Sequence, residues 1–139
     1  MRRATCLALI LLIGSILVAA PAAASPIGMN DKEVQAVATP LCDGVLKGLA
    51  TGDYTLYSRD FTKMLKDAVS QDIFTQTKDQ IDASLGVCTS KEFLGFLTKG
   101  QMTMVLWKGH FTKSEDDVLI KLLITKVDGR DLVAGLWFQ

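Results

Sequence analysis

GQMTMVLWKGHFTKSEDDVLIKLLITKVDGRDLVAGLWFQ, residues 100–139, decides the fold. Three apolar runs, at 101–112, 117–127 and 132–138, are separated by Lys113-Ser114-Glu115-Asp116 and by Asp128-Gly129-Arg130-Asp131. Both breaks have turn composition, so the runs read as consecutive antiparallel strands. Asp128-Gly129 predicts a two-residue type I′ hairpin, which needs φ > 0 at both central positions. Val118, Ile120, Leu122 and Ile124 fill one face of the middle run and mark it as the core face. In the run before it neither alternation stays clean after Trp107, and Gly109 predicts a bulge that re-aims His110 and Phe111. The last run sets Leu132, Ala134, Leu136 and Phe138 on one side and Val133, Gly135 and Trp137 on the other.

A sheet with an apolar face must be covered, and the segments upstream supply the cover. Asn30 or Asp31 caps a helix to about residue 51, with Val34, Val37, Ala38, Leu41, Val45 and Leu49 on one stripe. Pro40 predicts a kink in it, or a fresh start with Thr39 as cap. Gly52 ends the helix in a left-handed cap, and Asp53 caps a short turn over 54–58. Phe61, Met64, Leu65 and Val69 mark a second short helix, capped by Asp60 or Thr62, with its apolar side in the core. Ser70 caps a third that carries Ile73, Phe74, Ile81 and Leu85 inward and stops at Gly86. From Cys88 the period changes. Phe93, Gly95 and Leu97 alternate with Leu94, Phe96 and Thr98, apolar on both sides, which predicts a short strand covered on two faces. The fold class that follows is α+β, with N-terminal helices packed on a curved four-stranded antiparallel sheet.

Arg2 and Arg3, the apolar run Leu7 to Ala20 and the small residues Ala22-Ala23-Ala24 before Ser25 have the pattern of a cleavable secretory signal. The run is interrupted by Gly14 and Ser15 and is short for a membrane span. The expected organisation is a signal peptide at 1–24 and a single α+β domain at 25–139, secreted or held in the cell envelope, with no stable membrane span after processing. Charge is balanced at 15 basic and 15 acidic side chains, and removing Arg2 and Arg3 leaves 13 basic against the same 15 acidic. With the basic residues scattered, no nucleic-acid partner is expected. Cys42 and Cys88 remain in an oxidising compartment, where they either form one disulfide or stay as two buried thiols.

Chemistry-bearing residues are sparse. His110 is the only histidine and reads as a surface or rim residue, and no spacing of ligands around Asp116-Asp117 suggests a metal site. Asp53 and Asp60 sit beside short helices, where capping accounts for them better than acid/base work does. The glycines never bunch into a phosphate-cradling loop, and no nucleophile elbow occurs. The residues imply no catalytic group, cofactor or metal.

Leu49-Ala50-Thr51-Gly52-Asp53-Tyr54 before Ser58-Arg59-Asp60-Phe61, and the ending Val133-Ala134-Gly135-Leu136-Trp137-Phe138, resemble the domain of unknown function family 3887. The resemblance runs from about Lys32 onward. Members of that family look like the nuclear-transport-factor-2-like, or cystatin-like, roll and tend to be exported. In such rolls a curled sheet and its helices enclose a cone whose mouth can bind small molecules. The resemblance implies an exported, non-catalytic domain that binds a small apolar ligand or a protein partner in or at the mouth of the cone, with Tyr54, Met104, Trp107 and Trp137 as ligand-binding candidates. A dehydratase- or isomerase-like enzyme and an envelope module that forms a homodimer through the sheet are the alternatives.

Expressed with its own leader, the protein should accumulate outside the cytoplasmic membrane with Ser25 as its first residue. The intact mass of the exported pool checks this, and Met1 retained in that pool counts against it.

Overall fold

A computed structural model describes residues 24–139, so the signal-peptide reading of 1–24 lies outside the described residues except at Ala24. Four helices, α1 (Asp31–Thr51), α2 (Tyr54–Ser58), α3 (Lys63–Ala68) and α4 (Gln71–Ser84), precede four strands, β1 (Cys88–Lys99), β2 (Met102–Phe111), β3 (Val118–Val127) and β4 (Arg130–Phe138). The strands form one open antiparallel sheet in the order β1-β2-β3-β4. The architecture is α+β, as the sequence predicts.

Local chemistry sets the boundaries. Asn30, Asp53, Thr62 and Ser70 each accept from a backbone N–H in the first turn of the helix that follows, at 3.0, 3.0, 3.2 and 3.3 Å. Those bonds satisfy donors that a helix start leaves without partners. Gly52 closes α1 at φ 70°, and α1 continues through Pro40 without a second start. The β3–β4 turn has Asp128 at φ 52° and Gly129 at φ 73°, the two positive angles of a type I′ hairpin.

Register determines which residues face the helices. Trp107 lies opposite Phe93 and Ile120, Val105 opposite Phe96 and Leu122, and Thr103 opposite Thr98 and Ile124. These rows are the inner face, and Val105, Ile120, Leu122 and Ile124 are sealed completely. From α1 come Val34, Ala38, Leu41, Cys42, Val45 and Leu49 to close them.

Besides a register shift at Thr89, where β1 begins, two bulges alter the faces that simple alternation assigns. Ile124 pairs with Val133 but Leu123 pairs with Gly135, so Ala134 is an extra residue in β4. Val133 therefore joins Leu136 and Phe138 inside, while Gly135 and Trp137 turn out. Similarly, Phe93 pairs with Trp107 and Gly95 with Leu106, making Leu94 the extra residue in β1. Gly95 takes φ 151° there with nothing within 4 Å of a built Cβ, so backbone conformation is its role. Gly109, by contrast, stays in register with Lys91 and Val118, and its hydrogen leaves space for Ile120 Cδ1, 2.7 Å from where a Cβ would lie.

β1 is longer than the sequence reading and is an edge strand covered on one face only. Leu94 is 54% exposed and Leu97 50%. Of the stripe predicted at α3, Phe61 is in the core and Leu65 and Val69 pack against it, while Met64 is 82% exposed. α3 follows a segment that covers the free edge of β4: Thr62 N–H donates to Val133 O at 2.8 Å and Val133 N–H to Asp60 O at 2.7 Å. Pairing that edge removes a site for strand addition. Ile73, predicted inward, is exposed on α4.

α1 and α2 cross at Gly48. A Cβ at that position would lie 2.6 Å from Tyr57 N and 2.7 Å from Tyr57 Cα, and backbone cannot swing aside. Gly48→Ala should destabilise the fold by about 1–3 kcal/mol despite alanine's better helix propensity. A urea midpoint unchanged from that of the parent protein would refute the close crossing.

Candidate functional site

The interior between helices and sheet is filled. Trp107 is 1% exposed, and the void bounded by Leu46, Leu49, Ile81 and Phe111 holds about 10 Å³. That is at the lower limit for one water molecule.

A larger space opens where α4 passes the end of β4. The inward stripe of α4 finishes with Ile81 and Leu85, and the inner face of β4 finishes with Leu136 and Phe138. These two apolar runs diverge, leaving an open groove of about 390 Å³ between them. Thr77, Gln80, Ser84 and Gln139 form its polar rim, and no charged side chain lines it.

Tyr57 of α2 also lines the groove. Its ring is held edge-on to Phe61 at 4.9 Å between centroids and tilted against Phe74 at 4.7 Å. Tyr57 is 5% exposed, its hydroxyl bonds no other described residue, and the oxygen is not sealed from solvent. Burial pushes that hydroxyl up to about 12, with the nearby Tyr54 adding to the shift, so it remains protonated and able to donate.

The four candidates from the sequence do not converge. Tyr54 lies in the helix layer, its hydroxyl donating to Val69 O at 2.7 Å and its ring 5.6 Å from Phe74. Trp107 is in the sealed inner face. Met104 points outward, opposite Leu97 and Leu123. Trp137 is 42% exposed on the outer face, where Lys121 Nζ stands 5.8 Å above its ring, and it enters the groove lining as a neighbour of Leu136 and Phe138. Sequence reasoning did not select Tyr57, Ile81, Leu85, Leu136 or Phe138. The available signal was that the α4 stripe and the β4 stripe both run to the ends of their elements.

Asp53 caps α2, as expected. Asp60 caps nothing; Arg59 Nε and Nη2 both donate to its Oδ2 at 3.0 Å. His110 is exposed on the rim with Nδ1 3.3 Å from Asp117 Oδ1. Among the described residues no group of three or more His, Cys, Asp or Glu could hold a metal ion, and no helix is long and apolar enough to cross a membrane.

Cys42 and Cys88 are free thiols, so the bridged alternative is not the state of this structure. Cys42 is sealed between α1 and the sheet, while Cys88 turns its Sγ toward Ser90 O at 3.4 Å. Lys91, ion-paired with Asp43, lowers both thiols slightly, but burial dominates and pushes Cys42 up to about 12 and Cys88 upward. Neither is primed as a nucleophile.

Comparison with protein-family profiles, curated proteins and solved structures finds no match.

The raised thiol and phenol have a consequence at alkaline pH. Cys42 rises from 9.0 and Tyr57 from 10.0, each to about 12 in the fold. Protonation in the folded state therefore stabilises fully below about pH 9 and is lost as pH rises from there toward 12. Each group contributes at most about 1.4 kcal/mol per pH unit within its window. The melting temperature should fall above pH 9, and Cys42→Ala should flatten the first part of that decline. An equal slope in the variant would show that Cys42 does not titrate as a buried thiol.

Proposed function

We propose that this protein is an exported, non-catalytic binding domain that takes a small apolar ligand in the groove between α4 and β4, at the mouth of the helix–sheet layer. The observation that carries the reading is the groove itself: about 390 Å³ of space walled by Ile81, Leu85, Leu136 and Phe138. That volume falls in the range of small-molecule sites, and apolar walls with few polar groups are their usual composition. The resemblance to the cystatin-like roll supports the same location. A binding role is favoured over the dehydratase or isomerase alternative because no aspartate, glutamate or histidine side chain lines the groove to move a proton.

A neutral apolar reporter, N-phenyl-1-naphthylamine, should bind with a saturable rise in its fluorescence. Ser84→Phe and Thr77→Phe, which fill the groove from its rim, should abolish the rise while the urea midpoint holds. His110→Ala, on the outer rim, should leave it intact. A linear, unsaturable response, or equal binding by the groove-filling variants, would refute the site.

A second reading is favoured by the outer face of the sheet. Leu97, Met104 and Leu123 form one transverse row, and Leu106 and Trp137 flank Lys121 in the next. No helix covers them. Strands about 4.8 Å apart and about 3.3 Å per residue give roughly 20 by 23 Å of face, about 460 Å² in projection, a little over half of the ~800 Å² each partner contributes to a standard-sized stable complex. The charges on this face are already accommodated within the chain, since Glu92 pairs with Lys108 at 3.3 Å and Lys121 lies over Trp137. The occupant that matches is a second copy, giving a homodimer that leaves the groove open. Sedimentation should show a dimer that Leu123→Glu converts to monomer; a parent protein monomeric at all concentrations would remove this reading.

A further inference from the structure

Tyr57 narrows the chemistry of the ligand. Its aromatic ring is fixed by Phe61 and Phe74, and its backbone is fixed by the contact with Gly48, so the hydroxyl has one position. No other described residue bonds this hydroxyl, and the oxygen is not sealed from solvent, so in a residue that lines the groove it can exchange water for an acceptor on a ligand. It stays protonated across the neutral range and has a hydrogen to donate.

The remainder of the lining supplies only uncharged side chains. Thr77, Gln80 and Ser84 stand on the α4 side, and Ser84 Oγ already donates to Gln80 O at 2.7 Å. Lys78, the nearest cation on that helix, is held by Asp82 at 2.6 Å and is not part of the lining. An anion entering the groove would lose water and gain no countercharge, which is unfavourable.

We infer that the ligand is an uncharged, largely hydrocarbon molecule with one hydrogen-bond acceptor, such as a carbonyl or ether oxygen, that receives the Tyr57 hydroxyl while its apolar body lies between Ile81, Leu85, Leu136 and Phe138. The inference rests on the groove reading given above. It predicts selection by a single oriented donor, with affinity coming from the walls and discrimination from the hydroxyl.

The test is displacement of N-phenyl-1-naphthylamine by three probes of matched chain length: 2-undecanone, undecane and undecanoate. The ketone should displace the reporter at about tenfold lower concentration than the alkane, the effect of one well-placed hydrogen bond, and undecanoate should be the weakest. Tyr57→Phe should bring the ketone to the level of the alkane and leave the alkane itself unchanged, which separates loss of the donor from loss of packing. Gln80→Ala, at the exposed rim, tells whether any remaining preference comes from the amide. Equal displacement by ketone and alkane in the parent protein, a ketone preference that survives in Tyr57→Phe, or tightest binding by undecanoate would each overturn the inference while the groove still binds apolar molecules. Failure of the reporter to saturate would instead strike the groove reading itself.

Discussion

Helices α1 and α2 meet with no space for a methyl group, and the arrangement of the groove beside α4 depends on that contact. Gly48 lets the backbone of Tyr57 approach α1. From there Tyr57 reaches Phe61 and Phe74, one on the segment that covers the edge of β4 and the other on α4. One aromatic side chain thus locates both walls of the groove relative to α1. A displaced crossing would move the donor and the walls together.

The sheet uses its two faces differently. Inside, Val105 and Leu122 are sealed, with Phe96 half-buried in the same row, and the hydrophobic effect there is a stability term of about 1.5–3 kcal/mol for each fully buried large side chain. Outside, chemically similar side chains in Leu97, Met104 and Leu123 remain in contact with water. Antiparallel sheets with one solvated face normally place polar residues there. The departure from that pattern is concentrated in adjacent rows, which is how an interaction surface differs from scattered surface leucines.

Much of the fold was legible because its signals are local. Asn30, Asp53, Thr62 and Ser70 cap the helices they precede, and Asp128-Gly129 turns as its composition demands. The faces of β1 and β4 were not legible, because a bulge is a relation between two strands. Ala134 and Leu94 carry no mark in the sequence that sets them out of register, and one extra residue reverses every side chain after it. Trp107 and Trp137, both candidates for one site, lie on opposite faces. Tyr57 was hidden for a related reason. In sequence it is one of several aromatics, and only the packing of its ring against Phe61 and Phe74 shows that it lines the groove. The cysteines show the same limit, since compartment chemistry permits a bridge but the direction of Cys88 Sγ is decided by the turn into β1.

Strand β3 holds more than its two neighbours. Near one end, Ser25 and Lys126 exchange both backbone hydrogen bonds, at 3.0 and 2.9 Å; near the other, Leu119 and Gln139 do the same at 2.6 and 2.9 Å. Seven residues of strand, roughly 23 Å at about 3.3 Å each, separate the two attachments. Tension between Ser25 and Gln139 would accordingly run along β3 and load the flanking hydrogen bonds in shear, many at once, where a hairpin pulled from adjacent ends opens one bond at a time. The arrangement predicts greater resistance to stretching along β3 than across it.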